Sequence, residues 1–172
     1  FGPSPKTIAA LSEACKKCYE YPDWFSIELK KKIAAKYELD ISNIVTGTGE
    51  SAIICMLGEI FINPGDEIII GDPSYEAFRD VAYDYGAKPV VVPLTKTFEY
   101  NLDAMLDAVT LKTKILVICN PNNPTGTYTD CAKLEAFIRK IPAHVVTVID
   151  EAYLEFVTTK GSYSMVKLIQ EK

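Results

Sequence analysis

From residue 44 the sequence settles into a repeating pattern. A short apolar, β-branched run is followed by a cluster of Gly, Pro, Asn or Asp, then by a longer amphipathic stretch. This alternation is the strongest constraint the chain carries. Strands separated by helices do not meet through tight hairpins; they build a mostly parallel sheet with helices on its faces. The runs at 44–46, 67–71, 89–93, 114–119 and 145–150 read as strands, and the stretches at 51–61, 75–86, 102–109 and 129–140 as helices, with a weaker helix at 163–171. Ile115-Leu116-Val117-Ile118 is apolar on both alternating faces, as a strand between two helical layers has to be. The expected fold class is therefore α/β, three layers (αβα) around a mostly parallel sheet.

The first 40 residues read differently. Residues 5–20 and 26–38 carry helical periodicity, with Pro5 early in the first helix and Ser26 as N-cap of the second, and Tyr21-Pro22-Asp23 breaks them apart. The expected organisation is a helical segment at 1–40 followed by a sheet domain at 41–172. The opening Phe-Gly-Pro-Ser-Pro-Lys has no Met and lacks the charged-then-apolar layout of a signal peptide. It reads as mid-chain loop, so the sequence is expected to be a fragment.

With 48% apolar and 24% charged residues the chain is ordinary globular material. A net charge of −5 supplies no basic footprint for nucleic acid. No apolar run approaches the ~18 residues of a membrane-spanning helix. The five cysteines include a Cys15-x-x-Cys18 pair, but it falls within a helical pattern and has no second pair of metal ligands; His144, the sole histidine, is far off in sequence. The cysteines read as structural thiols in a reducing, cytoplasmic protein.

In parallel α/β sheets ligands bind at the carboxyl ends of strands. The first such end, Gly47-Thr48-Gly49-Glu50-Ser51-Ala52, matches the G-x-G-x-x-[GA] turn beneath a dinucleotide pyrophosphate, and Asp72 stands where an acid would meet the ribose. A dinucleotide-binding oxidoreductase is one reading. The other strand ends favour a different phosphate. Gly71-Asp72-Pro73-Ser74-Tyr75 places an aromatic ring at the same rim, Asn120-Pro121-Asn122-Asn123-Pro124-Thr125-Gly126 is a stiff, amide-bearing loop, and Asp150-Glu151-Ala152-Tyr153 delivers a carboxylate directly from an apolar run. Phosphate cup, aromatic face, fixed amide and strand-end carboxylate together suit a phosphorylated aromatic ring with a basic nitrogen.

The motifs N-P-N-N-P-T-G at 120–126 and D-E-A-Y at 150–153 resemble those of the fold-type-I pyridoxal-phosphate aminotransferases. The longer run D-E-A-Y-L-E-F, with Y-P-D at 21–23, G-P-S-P-K at 2–6, N-P-G-D-E at 63–67 and D-P-S-Y at 72–75, is most similar to the histidinol-phosphate aminotransferases. The resemblance implies pyridoxal 5'-phosphate as cofactor, an amino donor and a 2-oxo acid as substrates, and a cytoplasmic homodimer with shared active sites. It implies that Asp150 pairs with the pyridine nitrogen, that Asn123 and Tyr153 bind the phenolic oxygen, and that Tyr75 stacks on the ring. Gly49, Glu50 and Ser51 would cup the phosphate, and Tyr21 would reach the phosphate held by the partner subunit.

Two departures qualify the resemblance. Many relatives carry Gly-Ser-Asp-Glu where this chain has Gly49-Glu50-Ser51-Ala52, and some threonine-phosphate decarboxylases share the Glu. The Schiff-base lysine normally follows a sixth strand, which with the small C-terminal domain is expected to lie outside this chain, so the segment alone is not expected to transaminate. Lys160, in Thr158-Thr159-Lys160-Gly161, follows Asp150 too closely for that role and reads as a loop lysine. Besides the oxidoreductase, the alternatives are a threonine-phosphate decarboxylase, an aromatic aminotransferase, and a non-catalytic module of the same fold.

Overall fold

The structure, a computed structural model, describes residues 2–171 and falls into two compact units, one ending at Thr46 and the next beginning at Gly47. The first unit holds helices α1 (Pro5–Cys15) and α2 (Ile27–Tyr37) and a short 3-10 turn at Ile41–Asn43. Ser4 caps α1 by accepting the Thr7 N–H. The helix stops at Cys15, five residues short of the expected end, and the chain continues in turns. Ser26 stands at the head of α2 but makes no side-chain cap; its φ of 50° is left-handed, and the Asp23 carboxylate takes over by accepting the Phe25 and Ile27 N–H groups.

The second unit is the alternating part. Its order is α3 (Glu50–Phe61), β1 (Glu67–Asp72), α4 (Ala77–Asp84), β2 (Lys88–Pro93), α5 (Leu102–Asp107), β3 (Thr113–Cys119), α6 (Cys131–Ile138) and β4 (Val146–Asp150). The four strands form one sheet in the order β2-β1-β3-β4, and every pairing is parallel. The stretch at 163–171 closes with a 3-10 turn at Met165–Ile169 rather than an α-helix. The expected strand at 44–46 does not form: Ile44 is extended, but none of Ile44-Val45-Thr46 joins the sheet. Three β-branched residues supply propensity without a neighbouring strand, and a strand needs the neighbour.

The period of two in the strands sorts their side chains into two apolar clusters. Ile68, Ile70, Ile115 and Val117 pack with Ile54 of α3 and Phe78, Val81 and Ala82 of α4. Ile69, Leu116 and Ile118 pack on the opposite face with Leu102 and Met105 of α5, Leu134 and Phe137 of α6, and Met165. This is the expected three-layer αβα arrangement, and its purpose for the site is simple: it lines up the carboxyl ends of β1, β3 and β4 along one edge.

The tail is fastened to α6 by charge. Glu135 accepts from Lys167 at 2.6 Å, Arg139 at 2.8 Å and the Tyr163 hydroxyl at 3.0 Å, and Arg139 also reaches Glu171. Hydrogen bonds from Lys167, Arg139 and Tyr163 pull the Glu135 carboxyl down to about 2. Glu151, just past β4, holds the same tail by accepting the Ser164 hydroxyl at 2.5 Å and the Met165 N–H at 2.7 Å.

Candidate active site

The loops after β1 and β3 are fastened to each other by buried polar groups. Asn122 is the hub. Its Oδ1 accepts from Ser74 Oγ at 2.7 Å and from Tyr100 Oη at 2.8 Å, while its Nδ2 donates to the Pro73 carbonyl at 3.0 Å and to Thr125 Oγ1 at 2.7 Å. Tyr100 Oη also accepts the Cys119 N–H at 3.0 Å. Burial pushes the Tyr100 hydroxyl up to about 12, so it keeps the proton it donates. A glycine makes this possible: a Cβ on Gly71 would fall 2.5 Å from the Tyr100 ring. Within its own loop, Asn120 donates to the Thr129 carbonyl at 2.9 Å and accepts the Thr129 N–H at 2.7 Å. The adjacent residues Tyr75 and Asn123 therefore ride on loops whose backbones are fixed.

Tyr75 is half-buried and meets Phe78 edge-on, with ring centroids 6.4 Å apart at 83°. Asn123 and Tyr153 line a shared cavity of about 450 Å³ together with Pro121, Thr158 and Thr159. Tyr153 is 43% exposed and leans on Phe156.

Asp150 ends β4 with only 8% of its surface exposed. Its Oδ1 accepts the Ala152 N–H at 3.0 Å, and its Oδ2 accepts from Cys119 Sγ at 3.1 Å. Glu50, at the first turn of α3, turns its carboxyl onto Asp150, and the two line a second cavity of about 310 Å³. Desolvation first, and the hydrogen bond and charge of Asp150 second, push the Glu50 carboxyl up to about 7. Two carboxyls in one place do not both ionise freely; the pair holds a proton.

The N-terminus of α3 is open. Gly49 takes φ +80°, a left-handed value that glycine adopts without strain, and no side chain caps the first turn. Twelve residues of helix dipole and the free N–H groups around Glu50 and Ser51 make this end suited to an anion.

The structure thus brings Asn123 and Tyr153 to one cavity, Glu50 and Asp150 to another, and Gly49 and Ser51 beside Glu50. Tyr21 lies in the first unit, where it is 92% exposed. Asp72, the acid of the dinucleotide pattern, is ion-paired with Arg79 of α4 at 2.7 Å, so its carboxylate is already committed to a helix of its own fold. Cys15 and Cys18 are exposed free thiols, Lys160 is exposed in a turn, and no cluster of metal-ligating side chains occurs among the described residues. Nor is any helix among them long and apolar enough to cross a membrane.

Sequence reading missed Ser74, Tyr100, Cys119 and Asn122. Asn122 sits inside the recognised loop, and Cys119 is the registered neighbour of Asp150 in the β3–β4 ladder, so parity along the strands was a usable signal. For Tyr100, 22 residues upstream of Asn122, the sequence offered none.

The class I and II aminotransferase family matches residues 1–171. The chain is 41% identical over 159 residues to the histidinol-phosphate aminotransferase of Moorella thermoacetica, covering 92% of this chain and 41% of that protein. It is 38% identical over 172 residues to the Staphylococcus carnosus protein of the same name, covering 100% and 48%. The aromatic amino acid aminotransferase of Corynebacterium glutamicum is 40% identical over 156 residues, covering 91% and 46%. Among solved structures, histidinol-phosphate aminotransferase from Sinorhizobium meliloti in complex with pyridoxal-5'-phosphate superposes with a TM-score of 0.85 at 26% identity, over 90% of this chain and 42% of that one. The chain spans less than half the length of these curated relatives.

Proposed function

The chain belongs to the class I and II aminotransferases, and we propose that its residues 41–172 are part of the pyridoxal-phosphate-binding large domain of an enzyme that transfers the amino group of histidinol phosphate to 2-oxoglutarate. What supports the reading is that β1, β3 and β4 are neighbours in one parallel sheet, so the loops carrying Tyr75 and Asn123 and the strand end carrying Asp150 leave the same edge, with Glu50 of the uncapped α3 N-terminus turned onto Asp150.

The donor set fits the cofactor. Asp150 offers a nearly buried carboxylate with both oxygens already oriented, which suits a protonated ring nitrogen. Asn123 and Tyr153 would donate to the phenolic oxygen, Tyr75 would lie against the ring, and Gly49, Glu50 and Ser51 would receive the phosphate through their backbone N–H groups. When bound, pyridoxal phosphate supplies an electron sink for the carbon that loses its proton during amino transfer. The chain's own part is to bind and orient. Asp150 would set its carboxyl group opposite the ring nitrogen, and the Asn122 hub keeps the Tyr75 and Asn123 loops in place. Tyr21, on the first unit, would reach the phosphate of the partner subunit in a cytoplasmic homodimer. The Schiff-base lysine and the substrate-reading arginines would come from outside these residues.

The similarity to aromatic amino acid aminotransferases supports a second amino donor, an aromatic amino acid, on the same site. Incubating the intact protein with pyridoxal phosphate, 2-oxoglutarate and either donor, and measuring glutamate released, separates the two. Faster glutamate release with histidinol phosphate supports the first reading, faster release with phenylalanine or tyrosine the second, and none with either donor overturns both.

A further inference from the structure

Cys119 and Asp150 are the last residues of β3 and β4 and are registered partners in the parallel ladder. Strand parity turns both side chains toward the face covered by α3 and α4, where Val117 and Val148 precede them. The Cys119 thiol is 1% exposed, so the contact is made out of water. Its sulfur lies 3.1 Å from Asp150 Oδ2 and 3.4 Å from the Pro121 carbonyl. The single S–H proton goes to Asp150, which is both the nearer and the charged acceptor. Burial, then the charge of Asp150, pushes the thiol up to about 12, so the proton stays on sulfur across the physiological range.

We propose that Cys119 is a positioning residue whose thiol holds the Asp150 carboxylate in the orientation in which it would meet the ring nitrogen of the cofactor. The proposal rests on the cofactor reading above. With Oδ1 held by the Ala152 N–H and Oδ2 by the thiol, the carboxylate does not rotate without breaking a hydrogen bond. Serine preserves the donor, and alanine removes it.

The test uses the intact protein with Cys119, Cys119→Ser and Cys119→Ala. In the cofactor-free protein, the Raman S–H stretch of Cys119, isolated as the difference between parent and Cys119→Ser, is expected below that of the exposed Cys15 and Cys18 thiols. A free-thiol frequency overturns the proposal whether or not any cofactor binds. On titration with pyridoxal phosphate, Cys119→Ala is expected to weaken binding about tenfold, with Cys119→Ser within about threefold of parent, as loss or retention of one hydrogen bond to a charged group implies. The pH midpoint of the bound cofactor's visible absorption moves in Cys119→Ala and returns in Cys119→Ser. An alanine variant that matches the parent in affinity and midpoint overturns the proposal. A parent that binds no pyridoxal phosphate overturns the cofactor reading instead, and the Raman band alone then decides whether the thiol holds Asp150.

Discussion

Replacing Tyr100 with phenylalanine removes one oxygen from the centre of the loop staple and leaves the ring in place. The oxygen has three partners: it accepts the Cys119 N–H at 3.0 Å, donates to Asn122 Oδ1 at 2.8 Å, and lies 2.9 Å from Ser74 Oγ. The loss is unequal among them. Asn122 Oδ1 keeps its donor from Ser74, and the Ser74 hydroxyl keeps its acceptor, because those two bond each other directly at 2.7 Å. The Cys119 N–H has no such reserve. The neighbouring Asn120 N–H donates to Asp150 of β4, so backbone alternation turns the Cys119 N–H to the β1 side, where the registered β1–β3 ladder has already ended at Leu116. An orphaned buried donor costs about 1–3 kcal/mol, and no cavity larger than one oxygen opens, so a loss of about 2 kcal/mol is expected. Urea unfolding of the intact Tyr100→Phe protein measures it, and hydrogen exchange locates it: the Cys119 amide is expected to lose protection while amides in the middle of β3 keep theirs. Stability within about 0.5 kcal/mol of parent, with Cys119 still protected, would refute the idea that this hydroxyl is the amide's partner.

Two pH effects of opposite sign follow from the carboxyls. Glu50 is raised to about 7 from an ordinary 4.5, so the folded state holds the proton longer than the unfolded one, and its favourable contribution below pH 4.5 is lost as pH rises toward 7. Glu50→Gln is therefore expected to stabilise the protein relative to parent at pH 8 and to have no such advantage at pH 4; the reverse order in thermal unfolding contradicts the shared proton. Glu135 is lowered to about 2, so its contribution is present above pH 4.5 and is lost as pH falls toward 2. Glu135→Gln is expected to lower stability at neutral pH and to flatten the acid limb between pH 4.5 and 2; a parent-like acid limb rules the tail clamp out.

The sheet was legible because buried parallel strands announce themselves as apolar runs, and Ile115 to Ile118 lies where the run said it would. The 44–46 strand failed for the complementary reason: propensity is local, whereas pairing needs a partner that the sequence does not identify. Ser26 failed because its backbone is left-handed, not the extended conformation a side-chain N-cap uses, and Asp23 accepts the Phe25 and Ile27 N–H groups at the helix start instead. At the candidate site, the loop motifs named the residues that face outward, Asn123 and Tyr153, and not those that hold the loops in place. Asn122 and Tyr100 meet only once the chain is folded, and the ion pair of Asp72 with Arg79 of the next helix agrees with the reading that sets the dinucleotide pattern aside.

In the proposed site, Asp150, Asn123 and the α3 N-terminus together hold one pyridoxal phosphate. Equilibrium titration of the intact protein with pyridoxal phosphate, run beside Asp150→Ala, tests it most directly. One cofactor bound per chain, with affinity reduced by at least about tenfold in Asp150→Ala, is the predicted result, since a buried charge partner is worth more than about 1.4 kcal/mol. Equal affinity in the two proteins, or no saturable binding in the parent, would contradict it.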